Sequence, residues 1–578
     1  MNVDIPVGID LGTTNSLIGA VIDGKPRLFA DASGAELLPS VVGGGPGGAL
    51  HVGRSARNRR LLDPEGTVVS VKRRMGEDVL LRMGERKLSP AQVSALILGA
   101  LLDQAEAAMG RRPTRAVITV PAYFGEAQRQ ATRDAGEMAG LEVERLVNEP
   151  TAAALTYQSG SEELVMVYDL GGGTFDVSIL ERDEGLLEVR ASRGDTHLGG
   201  DDIDHALTEQ VLGKLGAARA AVEKDPRAMT RVLEAVERAK IALSDREDVR
   251  LFDPFLTGDG ADAVHLDLSL GRADVEEAAR PFVLRTLTHL DTAMREAGVR
   301  ADEIHRVLLV GGTSKMPLVR RMVAAHLGRP VHVGLDADRA VALGASMLAG
   351  RIGGAPIDEV LVDITPHTLA VGLADEAVLE HETDDLVAHP IIPRDTVVPV
   401  ERRETVYTVA ENQRVAELPI VQGEHRRLSG NTQLGTVVVE PLPPGPANAP
   451  VEVVFRLDLS GVLHVHAQHL PSGRSADVHI TNSPYQLTEQ RRRSAGAEVE
   501  AIRAASPAEA DGASEGDVSL AQALLGRAER ALEKNEGDEA SRERVREAVA
   551  ALREAVEARR GDLIDRSDAL SDALLDLL

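Results

Sequence analysis

From residue 3 to about residue 354, short apolar runs alternate with longer stretches of helical period, the pattern of an α/β fold. Val7-Gly8-Ile9-Asp10, Ala116 to Val120, Leu164 to Asp169 and Val307 to Val310 read as buried strands. Ser89-Pro90-Ala91-Gln92 combines an N-cap, a proline at the first helical position and a capping-box Gln, and predicts a helix running to about Met109. The pattern changes around 351–363, where Gly353, Gly354 and Pro356 end a helix. Asp358-Glu359-Val360-Leu361-Val362-Asp363 follows, a short apolar run between acids. From about 364 to 483 the helical period is gone. Candidate strands are 368–373, 405–409, 415–421, 434–439, 451–457, 462–467 and 475–480. Turns rich in Gly, Pro and Ser separate them, a β-sandwich pattern. The last stretch is helical and highly charged. Val545, Val549, Leu552 and Val556 form one apolar stripe, Ser519 and Gln522 predict another capping box, and 506–517 reads as a polar linker. The expected division is 1–355, 356–363, 364–484 and 485–578.

Composition narrows the chemistry. At 578 residues the chain is long enough for several domains, and 43% hydrophobic residues suffice for real cores. A formal net charge of −27 leaves no overall field to hold nucleic acid or an anionic membrane surface. The absence of cysteine excludes disulfides, thiolate catalysis, Zn–Cys sites and Fe–S clusters. No apolar run approaches the roughly 18 residues of a membrane span, and Met1 to Asp10 lacks the basic and apolar regions of a signal peptide. A soluble, cytoplasmic protein is the expectation.

The first chemical signal is an internal repeat. Asp10-Leu11-Gly12-Thr13-Thr14-Asn15 recurs in form, 159 residues on, as Asp169-Leu170-Gly171-Gly172-Gly173-Thr174. Each follows an apolar strand and precedes another, so each reads as a hairpin turn with an Asp at its start. Glycines permit close backbone approach, and successive N–H groups form a nest for phosphate oxygens. Thr hydroxyls add donors, and the two Asp carboxylates suit Mg²⁺ held through its waters. Either turn alone reads as an ordinary Gly-rich hairpin; the pair points to two similar halves facing each other across a nucleotide. There is no G-x-x-x-x-G-K-[ST], so this is not a P-loop protein. Two more Gly-rich turns, His197-Leu198-Gly199-Gly200-Asp201 and Val310-Gly311-Gly312-Thr313-Ser314-Lys315-Met316-Pro317, each lead toward a helix. They serve either strand–helix packing or the same nucleotide.

Gly8 to Ser16 resembles the first phosphate motif of the 70-kDa heat-shock chaperones (DnaK type). So do Val147-Asn148-Glu149-Pro150-Thr151-Ala152-Ala153-Ala154, Asp169 to Asp176 and Val310 to Pro317, while Val120-Pro121-Ala122-Tyr123-Phe124 and Gln128 to Thr132 match almost letter for letter. The resemblance covers nearly the whole chain. It implies an α/β actin-like (duplicated ribonuclease-H-like) ATPase domain, a linker, a β-sandwich peptide-binding domain and a helical lid. The shortening between Met75 and Ser89 and the ending at Leu578 are similar to the compact bacterial branch of the family (HscC-like).

The resemblance implies the following roles. Lys72 orients the attacking water; Asp10 and Asp169 organise Mg²⁺, with Glu149 supporting the metal shell or the water. Thr13, Thr14 and Thr174 contact phosphate, with Gly12, Asn15, Gly171, Gly172, Gly173, Gly199, Gly200 and Asp201 around them. Glu237, Lys240 and Ser244, on one helix face by their spacing, hold adenosine with Gly311, Gly312, Lys315 and Asp338. The family commonly has Arg where this chain has Lys315, and Lys stacks less well on adenine. ATP and Mg²⁺ are the implied cofactors, with K⁺ as a candidate second cation. The linker docks on the ATPase domain as an added strand in the ATP state, and Glu359, standing where the family has an apolar residue, is expected to loosen it. Pro121, Arg129, Arg145, Asn148 and Asp363 match interdomain and J-domain-protein positions. Val371, Tyr407, Ala416 and Leu418 match the peptide pocket, with Ala374 and Ala410 at the arch. Small Ala374 and Ala416 imply an open arch and a wider pocket, and Pro419 an edge strand or a bulge. The implied partners are unfolded or extended client polypeptides, a J-domain co-chaperone and a nucleotide exchange factor, with neither nucleic acid nor membrane. The implied activity is that of an ATP-dependent chaperone of stress response and protein folding. The alternative class is an actin-like or sugar-kinase-type ATPase without peptide binding.

Overall fold

The computed structural model describes residues 5–574 except 46–47, 158–161, 184, 259–262, 334–336, 358, 380–382, 480–488, 506–514, 534–538, 559–562, 564–565, 568 and 571–572. Asp358, most of the expected 506–517 linker and Leu578 therefore lie outside the described residues.

The two expected hairpins head two sheets of like design. In the first, Val7–Asp10 pairs antiparallel with Asn15–Ile22 and parallel with Arg115–Val120. In the second, Glu162–Leu170 pairs antiparallel with Phe175–Asp183 and parallel with Arg306–Val310. The parallel members are nearly continuous apolar runs, as strands covered on both faces require. Each sheet therefore carries its phosphate-type turn at the tip of its central hairpin: Asp10 stands opposite Leu17, and Leu170 opposite Phe175. The helix Ala340–Ile352 packs close to the first sheet. A Cβ at Gly8 would meet the Ser346 backbone at 2.1 Å, so these backbones nearly touch. The helix Pro90–Met109 starts as read: the Ser89 Oγ accepts the Gln92 N–H, and Gln92 answers the Ser89 N–H.

The apolar run after the Gly-Pro break is a strand, Val360–Ile364, added in parallel to the second sheet beside Leu186–Asp195. Its far end pairs with Val397–Val398. Leu361 and Ile364 are buried. The Glu359 carboxylate lies 4.0 Å from the Arg182 guanidinium. The expected loosening is thus offset by a countercharge.

The sandwich has two four-stranded sheets. One runs Val387–Ile392, Leu369–Leu373, Ala416–Gln422, Thr432–Val439; the other runs Val400–Tyr407, Pro450–Leu457, Leu463–His469, Arg474–His479. Ile420, Leu434, Val437, Val453 and Phe455 fill the space between them. Two features differ from expectation, and for Pro419 the second of two expected alternatives, a bulge, is found. Val387–Ile392 is an additional strand, hidden in the sequence by His389 and Pro390. Glu376–Leu379 is a short helix where none was expected. Pro419 lies in an inner strand, not an edge, but the ladder to Leu369–Leu373 stops at Ile420 and the register shifts between Ile420 and Val421. The missing N–H therefore falls just beyond the last paired residue, beside a bulge.

Beyond the sandwich, Glu489–Ala505 lies on the first sheet's unit. Ala495, Val499 and Ile502 join its core, and Arg503 reaches Asp103 at 2.6 Å. Glu515–Glu533 and Glu539–Ala558 pack together through Leu524, Leu525, Val545 and Leu552, with Leu61 and Leu62 against them. The helix already begins at Glu515, so Ser519 is inside it and not its cap.

Candidate functional site

The two hairpin turns meet. A Cβ built on Gly172 would lie 2.0 Å from the Thr14 hydroxyl, and one on Gly173 2.6 Å from Thr13 Cγ2. The turns of the two sheets thus face each other across a cleft of about 480 Å³. All of the expected catalytic and nucleotide residues line it except Gly173, Gly199 and Gly200, which pack behind the turns. Gly311 closes a third wall. Its φ is +82°, and a Cβ there would stand 2.5 Å from the Leu170 carbonyl oxygen. The backbone also knits the turns: Gly200 N–H donates to Gly171 O and Asp201 N–H to Gly172 O at 2.7 Å.

Lys72 is carried into the cleft by the 3₁₀ turn Val71–Arg74, which follows Ser70 at a φ of +50°. Its ammonium pairs with Glu149, and both side chains are buried. Asp10 and Asp169 complete the cluster. Burial raises the Asp10 carboxyl to about 7, with the Glu149 charge adding to it and Lys72 and the Thr119 hydroxyl opposing it. Asp169 is raised well above the usual range by burial, then by Glu149 and Asp10. Burial works to lower the Lys72 ammonium, but Glu149, Asp10 and Asp169 outweigh it and hold it above its ordinary value. Three carboxylates thus share one fixed cation.

Some supporting contacts carry no sequence signal, even where one partner was expected at the site. Thr119 donates to Asp10 Oδ1 at 3.0 Å, Ser40 donates to Gly12 O at 2.8 Å, and Thr313 donates to Gly171 O at 2.9 Å. Asp204 holds Lys240 at 2.7 Å, and Lys315 is paired with Asp338. Arg73 joins the rim, bonded to Asp202 at 3.0 Å. Each lies on a different element from its partner, and each residue type is common.

Arg129, Asn148 and Asp363 form a buried chain from the first unit to the added strand. Arg129 Nη2 donates to Asn148 Oδ1 at 2.6 Å, and Asn148 Nδ2 to Asp363 Oδ2 at 2.7 Å. Arg145 adds positive charge near Asp363, and its Nε is buried without a hydrogen bond among the described residues. The Pro121 carbonyl accepts the Phe124 N–H in the turn beside them. Of the expected peptide residues, Val371, Ala416 and Leu418 are inside the sandwich core, Ala374 is half-buried, and Ala410 and Tyr407 are exposed.

A duplicated pair of hairpin-headed sheets with an acidic, glycine-walled cleft between them defines the structural class. The family model described as Hsp70 protein matches residues 6–81 and 78–577, and the chain belongs to that family. Its members are ATPases and ATP-dependent chaperones that use Mg²⁺, act on client polypeptides and work with J-domain co-chaperones. Among the described residues no helix is long and apolar enough to cross a membrane.

Proposed function

We propose that this chain is an ATP-dependent peptide-binding chaperone. Its ATPase domain, 1–355, controls an extended apolar peptide site in the 364–484 sandwich, beneath the 485–578 lid, through the 356–363 linker. The observation that carries this reading is the position of Val360–Ile364. It is hydrogen-bonded into the sheet whose central hairpin bears Asp169 and Thr174. A change at the phosphate turn therefore has a continuous ladder to the linker, and the linker leads directly into the sandwich.

In the cleft, the chain's residues do little covalent work and much positioning. Lys72 holds the attacking water and offsets charge growing on the γ-phosphate. Thr13, Thr14 and Thr174 donate to phosphate oxygens, and the turn amides supply further donors. The surplus of carboxylate over cation at Asp10, Glu149 and Asp169 suits a divalent ion; bound Mg²⁺ would neutralise phosphate charge there. Coupling between two sites is reciprocal, so peptide binding stimulates hydrolysis as ATP controls capture. A J-domain protein acts at Arg145, Asn148 and Asp363, and an exchange factor frees the nucleotide.

Replacing Lys72 by Ala tests the reading. Single-turnover hydrolysis should vanish while ATP binding stays within about tenfold, roughly 1.4 kcal/mol, of wild type. Undiminished single-turnover hydrolysis in the variant overturns the assignment.

A further inference from the structure

Arg182 is a charge in an apolar place. It lies on Phe175–Asp183 opposite Leu187, and Leu187 in turn stands opposite Leu361 of the added strand. Arg182 is 8% exposed. Its Nη2 donates to the carbonyl oxygens of Ala154 at 3.1 Å and Tyr157 at 3.0 Å. Its Nε has no hydrogen-bond partner among the described residues. A buried guanidinium bonded only to neutral carbonyls keeps an uncompensated charge. Among the described residues, one carboxylate comes within ion-pair distance of it, Glu359 at 4.0 Å. Glu359 is itself fixed from the other side, where Arg351 donates to its carbonyl oxygen.

The carbonyls that Arg182 holds end a helix that matters to the cleft. Ala154 is in the last turn of Glu149–Leu155, and Tyr157 lies just beyond it. A cation at this end also satisfies orphan carbonyls and the helix dipole. The first residue of the same helix is Glu149, which pairs with Lys72. The helix is seven residues long and tightly clamped: a Cβ on Gly344 would stand 1.8 Å from the Ala152 carbonyl oxygen. It therefore moves as one piece, and a shift at its carbonyl end reaches Glu149.

We propose that Glu359 and Arg182 form an ionic latch through which the docked linker fixes the helix that presents Glu149, so that Arg182 is a positioning residue for hydrolysis. The proposal rests on the reading of 356–363 as a linker that docks when ATP is bound. It reverses the expectation that an acid at position 359 loosens the strand. With Val at 359, Arg182 is left buried without a counterion; with Leu at 182, Glu359 faces an apolar surface. Breaking a buried pair from one side costs much more than replacing both charges by apolar groups, which is close to neutral.

The experiment uses the full chain with Mg²⁺ and reads single-turnover ATP hydrolysis together with protection of 353–363 from proteolysis by ATP. Glu359→Val and Arg182→Leu should each slow hydrolysis about tenfold and lose the protection. ADP affinity should stay unchanged in Glu359→Val, because ADP leaves the linker undocked. Glu359→Gln, which alters the linker alone, should show the same loss and carries the test if Arg182→Leu melts early. The double variant Glu359→Val/Arg182→Leu should return to within about twofold of wild type, a recovery that two independent structural losses would not produce. It should also keep its rate at about 1 M salt, where the wild-type pair is screened and slows. Wild-type rates in Glu359→Val, or losses that add in the double variant, overturn the latch. If ATP protects the wild type and the losses add, the latch falls alone. If ATP does not protect the wild type, the linker reading falls with it.

Discussion

Gly172 and Gly311 face the same cleft, and their substitution should fail in opposite ways. A methyl on Gly172 meets the Thr14 hydroxyl, a side-chain atom that can swing aside. Its φ is not left-handed, so the backbone tolerates Ala. Gly172→Ala should therefore keep the melting temperature and lose nucleotide affinity about three- to tenfold, the worth of one displaced hydrogen bond of about 0.5–1.5 kcal/mol. Gly311→Ala has no such relief. Its φ is +82°, and the Leu170 carbonyl is fixed by the sheet. That variant should lose melting temperature first, as differential scanning calorimetry would register. Equal melting temperatures for the two variants would refute this distinction. At this scale the sequence carried much of the cleft, because Asp10, Asp169 and their glycines sit in local motifs that repeat. Thr119 and Asp204 stayed hidden: a hydroxyl or an acid has no meaning until another strand or helix brings its partner alongside.

Local signals also decided which elements were legible. The Ser89 box is complete within four residues, and the helix obeys it. Ser519 carries the same letters but sits inside a helix that begins at Glu515, four residues before the would-be cap. Val360–Ile364 was visible as an apolar run between acids, but its pairing with Leu186–Asp195 is long-range and was reached only through family resemblance. The strand's hold can be measured. Leu361 is buried with Leu187 and Val189, and Leu361→Ala removes about 2–5 kcal/mol of contact if the strand stays docked. Undocking is the cheaper response. Limited proteolysis should cut wild type near 353–363 slowly with ATP and faster without it. In Leu361→Ala the two rates should converge on the faster one. A variant still protected by ATP would mean that the backbone ladder alone holds the linker.

Across the whole molecule, the sandwich and the first unit meet through buried titratable groups. The Glu126 carboxylate accepts the Leu463 N–H at 2.7 Å, and its own N–H donates to Gln422. Burial raises it from 4.5 to about 7; the Leu463 bond and Arg129 pull down, Asp458 pushes up and His464 pulls down. His367, edge-on to Tyr123, is lowered by burial from 6.5 to about 4, with the Tyr123 carbonyl and Glu424 opposing and Arg129 and Arg193 reinforcing the shift. The two groups act in opposite directions. An acid raised by docking contributes stability that is fully present below 4.5 and lost as pH rises through about 7. A base lowered by docking contributes stability that is fully present above 6.5 and lost as pH falls toward about 4. Between 4.5 and 6.5 the slopes oppose each other, so wild-type docking should be nearly flat there. Glu126→Gln should leave only the histidine term, with docking strengthening as pH rises to 6.5. His367→Asn should leave only the carboxylate term, with docking weakening as pH rises from 4.5 to about 7. The chain has no cysteine, so one introduced on each side of the contact permits clean labelling for energy transfer. Parallel pH profiles in the two variants would show that neither group senses docking; profiles of opposite slope, flattening in the wild type, are the expected result.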